Sequence, residues 1–162
     1  MNTAKANKGS RIARLSAARL AAVQGVYQMK STGQSADSLI GEYKAYRLGQ
    51  PVEGQNMVLP DGVLFEKIID GVTKRGADLR GIIEASLSEQ NDAKDKETAT
   101  YVEPLLDSIL LCGAYELLAC PETDVPVIIS DYLEVTHAFY EGGESRLVNG
   151  VLDNISKTVR TS

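Results

Sequence analysis

A chain of 162 residues, 43% apolar and 24% charged, suits one packed domain or two joined helical halves, not a multidomain enzyme or a disordered segment. A net charge of −5 excludes an indiscriminate nucleic-acid binder, and two cysteines exclude a disulfide framework. No apolar run approaches the ~20 residues needed to cross a bilayer, and the basic start is not followed by an apolar segment, so the chain reads as cytoplasmic and free of a membrane.

The charge is unevenly distributed. Residues 1–36 hold Lys5, Lys8, Arg11, Arg14, Arg19 and Lys30 and no acid, whereas all 22 acidic residues lie beyond them. A basic end on an acidic body points to a focused contact with a polyanion, the body repelling unspecific ones. Residues 1–9 read as a flexible basic arm. A first helix runs from an N-cap at Ser10 to about Lys30, where Ser31-Thr32-Gly33 ends it. Its apolar stripe is Ile12, Leu15, Ala22, Val23, Val26 and Met29.

A second helix spans about Ala36 to Leu48, with Gly49 as its stop, and residues 49–60 form a Gly/Pro loop. A third begins near Asp61 and continues towards Glu89, with Leu64, Phe65, Ile68, Val72, Leu79, Ile82 and Ile83 on one face. Gly71, Gly76 and Gly81 weaken it, so a kink is expected near Gly76. The polar stretch from Gln90 to Glu97 interrupts the core and marks the boundary between an N-terminal half, 10–89, and a C-terminal half, 98–160.

The second half carries three more helices. The most apolar one follows Pro104, through Leu105, Leu106, Ile109, Leu110, Gly113 and Leu117, and stops at Pro121. Another opens at Pro126, carries Ile128, Ile129, Leu133, Val135 and Phe139, and ends at Gly142-Gly143. The last starts near Ser145 and aligns Val148, Val151, Leu152, Ile155 and Val159. The expected fold is all-α, six or seven helices in two packed helical bundles within a single domain.

Signals for catalysis are weak. The single histidine, His137, has no ligand-spaced companions, so neither a metal nor a cofactor is expected. Cys112 and Cys120 read as buried apolar thiols. No Gly-rich phosphate loop appears, and the chain reads as a non-enzyme. The first helix says more. Lys8, Arg11 and Arg14 step by three along one side of its opening turns, where positive charge opposes the helix macrodipole and so needs another reason, such as an anion. Arginine suits phosphates and stacks on unpaired bases. Arg19 falls inside the apolar stripe and has two readings: an internal ion pair, with Glu116 or Asp153 as partner, or direct contact with RNA.

The stretch from Ser16 to Gln28, with Ala18-Arg19, Gln24 and Tyr27 in order, resembles the first-helix motif of the NusB family. Gly71-Val72, Ala114-Tyr115-Glu116-Leu117, Val125-Pro126 with Ile129-Ser130-Asp131-Tyr132, and Leu147-Val148-Asn149-Gly150-Val151-Leu152-Asp153 follow in that family's sequence. The resemblance implies two helical bundles that bind single-stranded boxA-like RNA of nascent ribosomal RNA transcripts. It implies a NusE-type small-subunit ribosomal protein as partner, within an RNA polymerase antitermination complex. With the chain ending at Ser162, the free-standing factor is expected rather than the methyltransferases that carry the same fold. Carried over by position, the family's RNA contacts fall on Arg11, Arg14, Arg19 and Tyr27; Lys8 from the basic start and Gln28, the polar neighbour of Tyr27, complete the expected RNA-binding set. Leu15, Ser16 and Ala17 stand where basic residues are common in the family, and Leu147 where it has phenylalanine. These departures motivate an alternative: a protein-interaction module of the same fold with weak or no RNA binding, self-associating as a homodimer.

Overall fold

A computed structural model describes residues 9–45, 58–90 and 102–160. The described residues form seven α-helices and no strand: α1 (Arg11–Thr32), α2 (Ala36–Tyr43), α3 (Gly62–Lys74), α4 (Gly76–Gln90), α5 (Pro104–Ala119), α6 (Val125–Phe139) and α7 (Glu144–Val159). The expected all-α class holds. By its packing the chain divides into two compact units, Met1–Asp70 and Gly71–Ser162.

In the first unit, α1 begins and ends where its local chemistry dictates. Ser10 Oγ accepts from the Ala13 N–H at 3.0 Å, and Gly33 adopts φ +76°, a left-handed conformation that glycine takes without a Cβ penalty. Ala18, Ala22, Val23 and Val26 are buried, as their spacing requires. Ile12, expected in that stripe, is 77% exposed. Among the described residues the chain leading into α3 reaches α1 at Arg14, whose carbonyl accepts from the Asp61 N–H. Gly25 allows the close approach of α2 and α3, since a Cβ there would lie 2.9 Å from Leu39 Cδ2 and 3.0 Å from Ile69 Cδ1. Tyr43 stacks on Phe65 with ring centroids 4.0 Å apart. The expected continuation of α2 to Leu48, and Gly49 as its stop, lie outside the described residues.

The helix expected over 61–89, with its kink near Gly76, divides at Arg75 into α3 and α4. Hydrogen bonds nevertheless run on through the break, from the Arg75 N–H to Gly71 O and from the Leu79 N–H to Arg75 O, both 2.9 Å.

The second unit is built around α5. Every residue from Leu106 to Leu117 is buried, which fits a helix apolar on nearly all sides. It packs against α4, α6 and α7, and α7 in turn packs against α4 and α6. This corrects the expected boundary at residues 90–97: α4 belongs with the C-terminal helices because its Leu79, Ile83 and Leu87 face are buried with α5 and α7. Arg80 and Asp107 join α4 to α5 through a bidentate pair, Nη2 to Oδ2 at 2.7 Å with Nη1 on Oδ1. That hydrogen bond raises the Arg80 pKa above its ordinary value.

Pro104 occupies the first turn of α5, as expected, and Glu103 Oε1 accepts from the Leu105 N–H at 2.6 Å. The helix ends at Ala119, where the Arg160 guanidinium collects the carbonyls of Leu117, Thr123, Glu116 and Cys120 at 2.6, 3.1, 3.3 and 2.8 Å. Helix α6 stops at Phe139, short of the expected Gly142-Gly143. Tyr140 turns extended there and donates its hydroxyl hydrogen bond to Glu103. Phe139, expected in the core, is consequently 39% exposed at the helix end.

Candidate nucleic-acid interface

The sequence-derived RNA-binding residues do not share one environment. Lys8 lies outside the described residues. Arg11 is exposed in the first turn of α1. Arg14 is half-buried and donates its Nε–H to Leu59 O at 3.0 Å, which leaves its two terminal nitrogens without a hydrogen bond among the described residues.

Arg19 is only 2% exposed. A guanidinium withdrawn this far from water cannot meet a strand passing over the surface, and its burial favours the internal role over direct contact. Of its two expected partners, Asp153 is exposed and pairs with Lys157 Nζ at 3.1 Å on its own helix. Glu116 is fully buried and accepts from the Tyr132 hydroxyl at 2.6 Å.

Tyr27 is the exposed aromatic of α1, 41% accessible, while Val23 and Val26 beside it are buried. Gln24 and Ser31, one turn either side, are exposed with it. At ~1.5 Å and ~100° per residue, Arg11 and Tyr27 stand roughly 24 Å apart along α1 and about 160° around it. The helix therefore does not bring the arginines of its first turn beside the tyrosine. What it offers is a cationic start and a separate aromatic surface near its end.

Gln28, next to that tyrosine, is held. Its Nε2 donates to Gln34 Oε1 at 2.7 Å and to Glu42 Oε1 at 3.2 Å, and Gln34 Nε2 donates to Ser38 Oγ at 3.0 Å. Sequence reasoning missed Gln34, Ser38 and Glu42. Their signal was a polar row recurring every fourth residue from Gln34, just before α2, to Glu42 near its end.

No group of three or more His, Cys, Asp or Glu is arranged to hold a metal among the described residues. His137 is exposed on α6, and the thiols of Cys112 and Cys120 are buried. No described helix is long and apolar enough to cross a membrane.

Residues 16–157 match the model of the NusB family. The chain belongs to the NusB family. It is 37% identical over 144 residues to the transcription antitermination protein NusB of Rhizobium rhizogenes, covering 89% of this chain and 86% of that one. It is 38% identical over 144 residues to the protein of the same name from Mesorhizobium japonicum, covering 89% of both. The fold is that of T. maritima NusB, with a TM-score of 0.66 and 18% identity over 88% of this chain and 89% of that one. This is a family of transcription antitermination proteins. The five motifs quoted from the sequence fall within the matched span, which reaches from the second turn of α1 almost to the end of α7.

Proposed function

We propose that this protein is a non-catalytic, RNA-binding antitermination factor that recognises boxA-like single-stranded RNA of nascent ribosomal RNA transcripts. It acts with a NusE-type small-subunit ribosomal protein as part of an RNA polymerase antitermination complex. The reading is carried by similarity over 89% of this chain to proteins named for transcription antitermination. Tyr27 supports it: a tyrosine 41% exposed on a helix whose neighbouring valines are buried offers an unpaired base a stacking surface. Arg11 and the basic arm contribute sequence-independent attraction to the phosphates.

The test is a titration of a boxA-like strand against a scrambled one, with and without the ribosomal protein. The expected result is preference for the boxA-like strand, strengthened by the partner. Arg11→Glu with Arg14→Glu should abolish binding, and unchanged affinity and salt dependence would remove the cationic start from the site. Burial of Arg19 and the tethering of Arg14 favour a second reading, a protein-interaction module with weak RNA binding that self-associates. Retention of the ribosomal protein without preference for boxA-like RNA, and a homodimer in light scattering, would select it.

A further inference from the structure

Beside Tyr27 lies a hydrogen-bond chain whose direction is set by one carboxylate. Glu42 can only accept, so the Gln28 atom facing it is the amide nitrogen. The same nitrogen faces Gln34, whose atom there is therefore the oxygen, and Gln34's own nitrogen is turned onto Ser38 Oγ. Both donors of Gln28 are thereby spent within the protein. The polar atom it retains is Oε1, an acceptor with no hydrogen bond among the described residues. The second oxygen of the exposed Glu42 carboxylate is likewise an acceptor without a described partner. An amide left to rotate would present donor or acceptor alike. This one presents an acceptor, with a second acceptor on its hydrogen-bond partner Glu42, one residue along from an exposed aromatic ring.

We propose that this network makes the Tyr27 surface selective for a base with adjacent N–H donors, guanine, and adverse to uracil. Guanine offers N1–H and the N2 amine side by side to two acceptors. Uracil offers a single N3–H flanked by carbonyl oxygens, which the acceptors repel. Gln28 is the contacting residue, and Gln34 and Glu42 are positioning residues that engage its amide nitrogen and so leave its oxygen as the available acceptor. The inference rests on the RNA-binding reading above.

The test compares a uridine hexamer with the same hexamer carrying one central guanosine, and with inosine in its place, by fluorescence titration at low salt. Wild type should bind the guanosine strand on the order of tenfold more tightly than all-uridine, with inosine, which lacks the N2 amine, in between. Gln28→Met should bring the guanosine-to-uridine ratio close to one, and Glu42→Gln, which lets the amides turn over, should lower it. The ratio is taken on one preparation, so a partly unfolded sample moves both strands together. Equal wild-type binding of guanosine and uridine strands, or a Gln28→Met protein that keeps the wild-type ratio, overturns the selectivity and leaves RNA binding standing. Binding of none of the strands overturns the RNA reading and this inference with it.

Discussion

A Cβ placed on Gly71 would stand 2.1 Å from Cε1 of Tyr115, closer than any side chain can be accommodated. Two of the motifs that mark the family, Gly71-Val72 and Ala114-Tyr115-Glu116-Leu117, thus meet ring against backbone. Tyr115 is itself buried, 7% exposed. Gly71→Ala should destabilise the protein by about 3 kcal/mol, the upper part of the range for overpacking a core. Urea denaturation measures it. Adding Tyr115→Leu should recover part of the loss, and purely additive effects would show that the two residues do not compete for one space.

Arg160 secures the C-terminal end of α5 by donating to four carbonyls, one of them, Thr123, in the turn that follows. Replacing it with Met removes a charged donor from groups whose other partners are few. A loss of about 2–3 kcal/mol is expected, read as a lower thermal midpoint. Arg160→Lys should recover only a fraction, because an ammonium cannot spread its donors as the planar guanidinium does.

Arg19 and Tyr27 should separate cleanly in mutagenesis although both lie in the family's first-helix motif. Arg19→Ala removes a guanidinium 2% exposed and should cost about 3–5 kcal/mol of stability. Tyr27→Ala removes a half-exposed ring and should leave the melting temperature nearly unchanged while weakening RNA binding by about 1–3 kcal/mol. An Arg19→Ala protein of wild-type stability that fails to bind RNA would reverse the assignment.

Tyr140 makes stability depend on alkaline pH. Burial first, and then its hydrogen bond to Glu103, raise the phenol above the usual tyrosine range. The folded state therefore holds the proton more tightly than the unfolded chain, whose tyrosine titrates near pH ~10. The contribution is fully present below that pH and is lost as pH rises through the higher folded value. Urea melts between about pH 8 and pH 11 should show a steeper alkaline decline for wild type than for Tyr140→Phe. Parallel declines would mean that the contact with Glu103 does not hold in solution.

Most of the fold was legible because helix ends are encoded within a few residues. Ser10 caps the amide three positions on, Gly33 supplies its own left-handed turn, and Pro104 lacks the N–H that a first turn cannot use. Family membership was legible for a similar reason, since its motifs are short and lie in order along the chain. The candidate site was legible only in part. Spacing placed Arg19 in the apolar stripe, yet periodicity could not choose between a buried ion and an RNA contact. Chain distance hid the orientation of Gln28 as well, because the carboxylate that dictates it lies on the next helix.

By itself the sequence determined helix type, most helix starts and the basic-first, acidic-later charge order, all set by neighbours within about four residues or by composition. Tertiary structure alone decided that Arg19 is withdrawn from solvent while Tyr27 is not, that α4 joins the C-terminal helices, and that α6 yields at Tyr140 to Glu103. Burial and hydrogen-bond direction depend on which distant groups arrive beside a side chain, and folding is what delivers them.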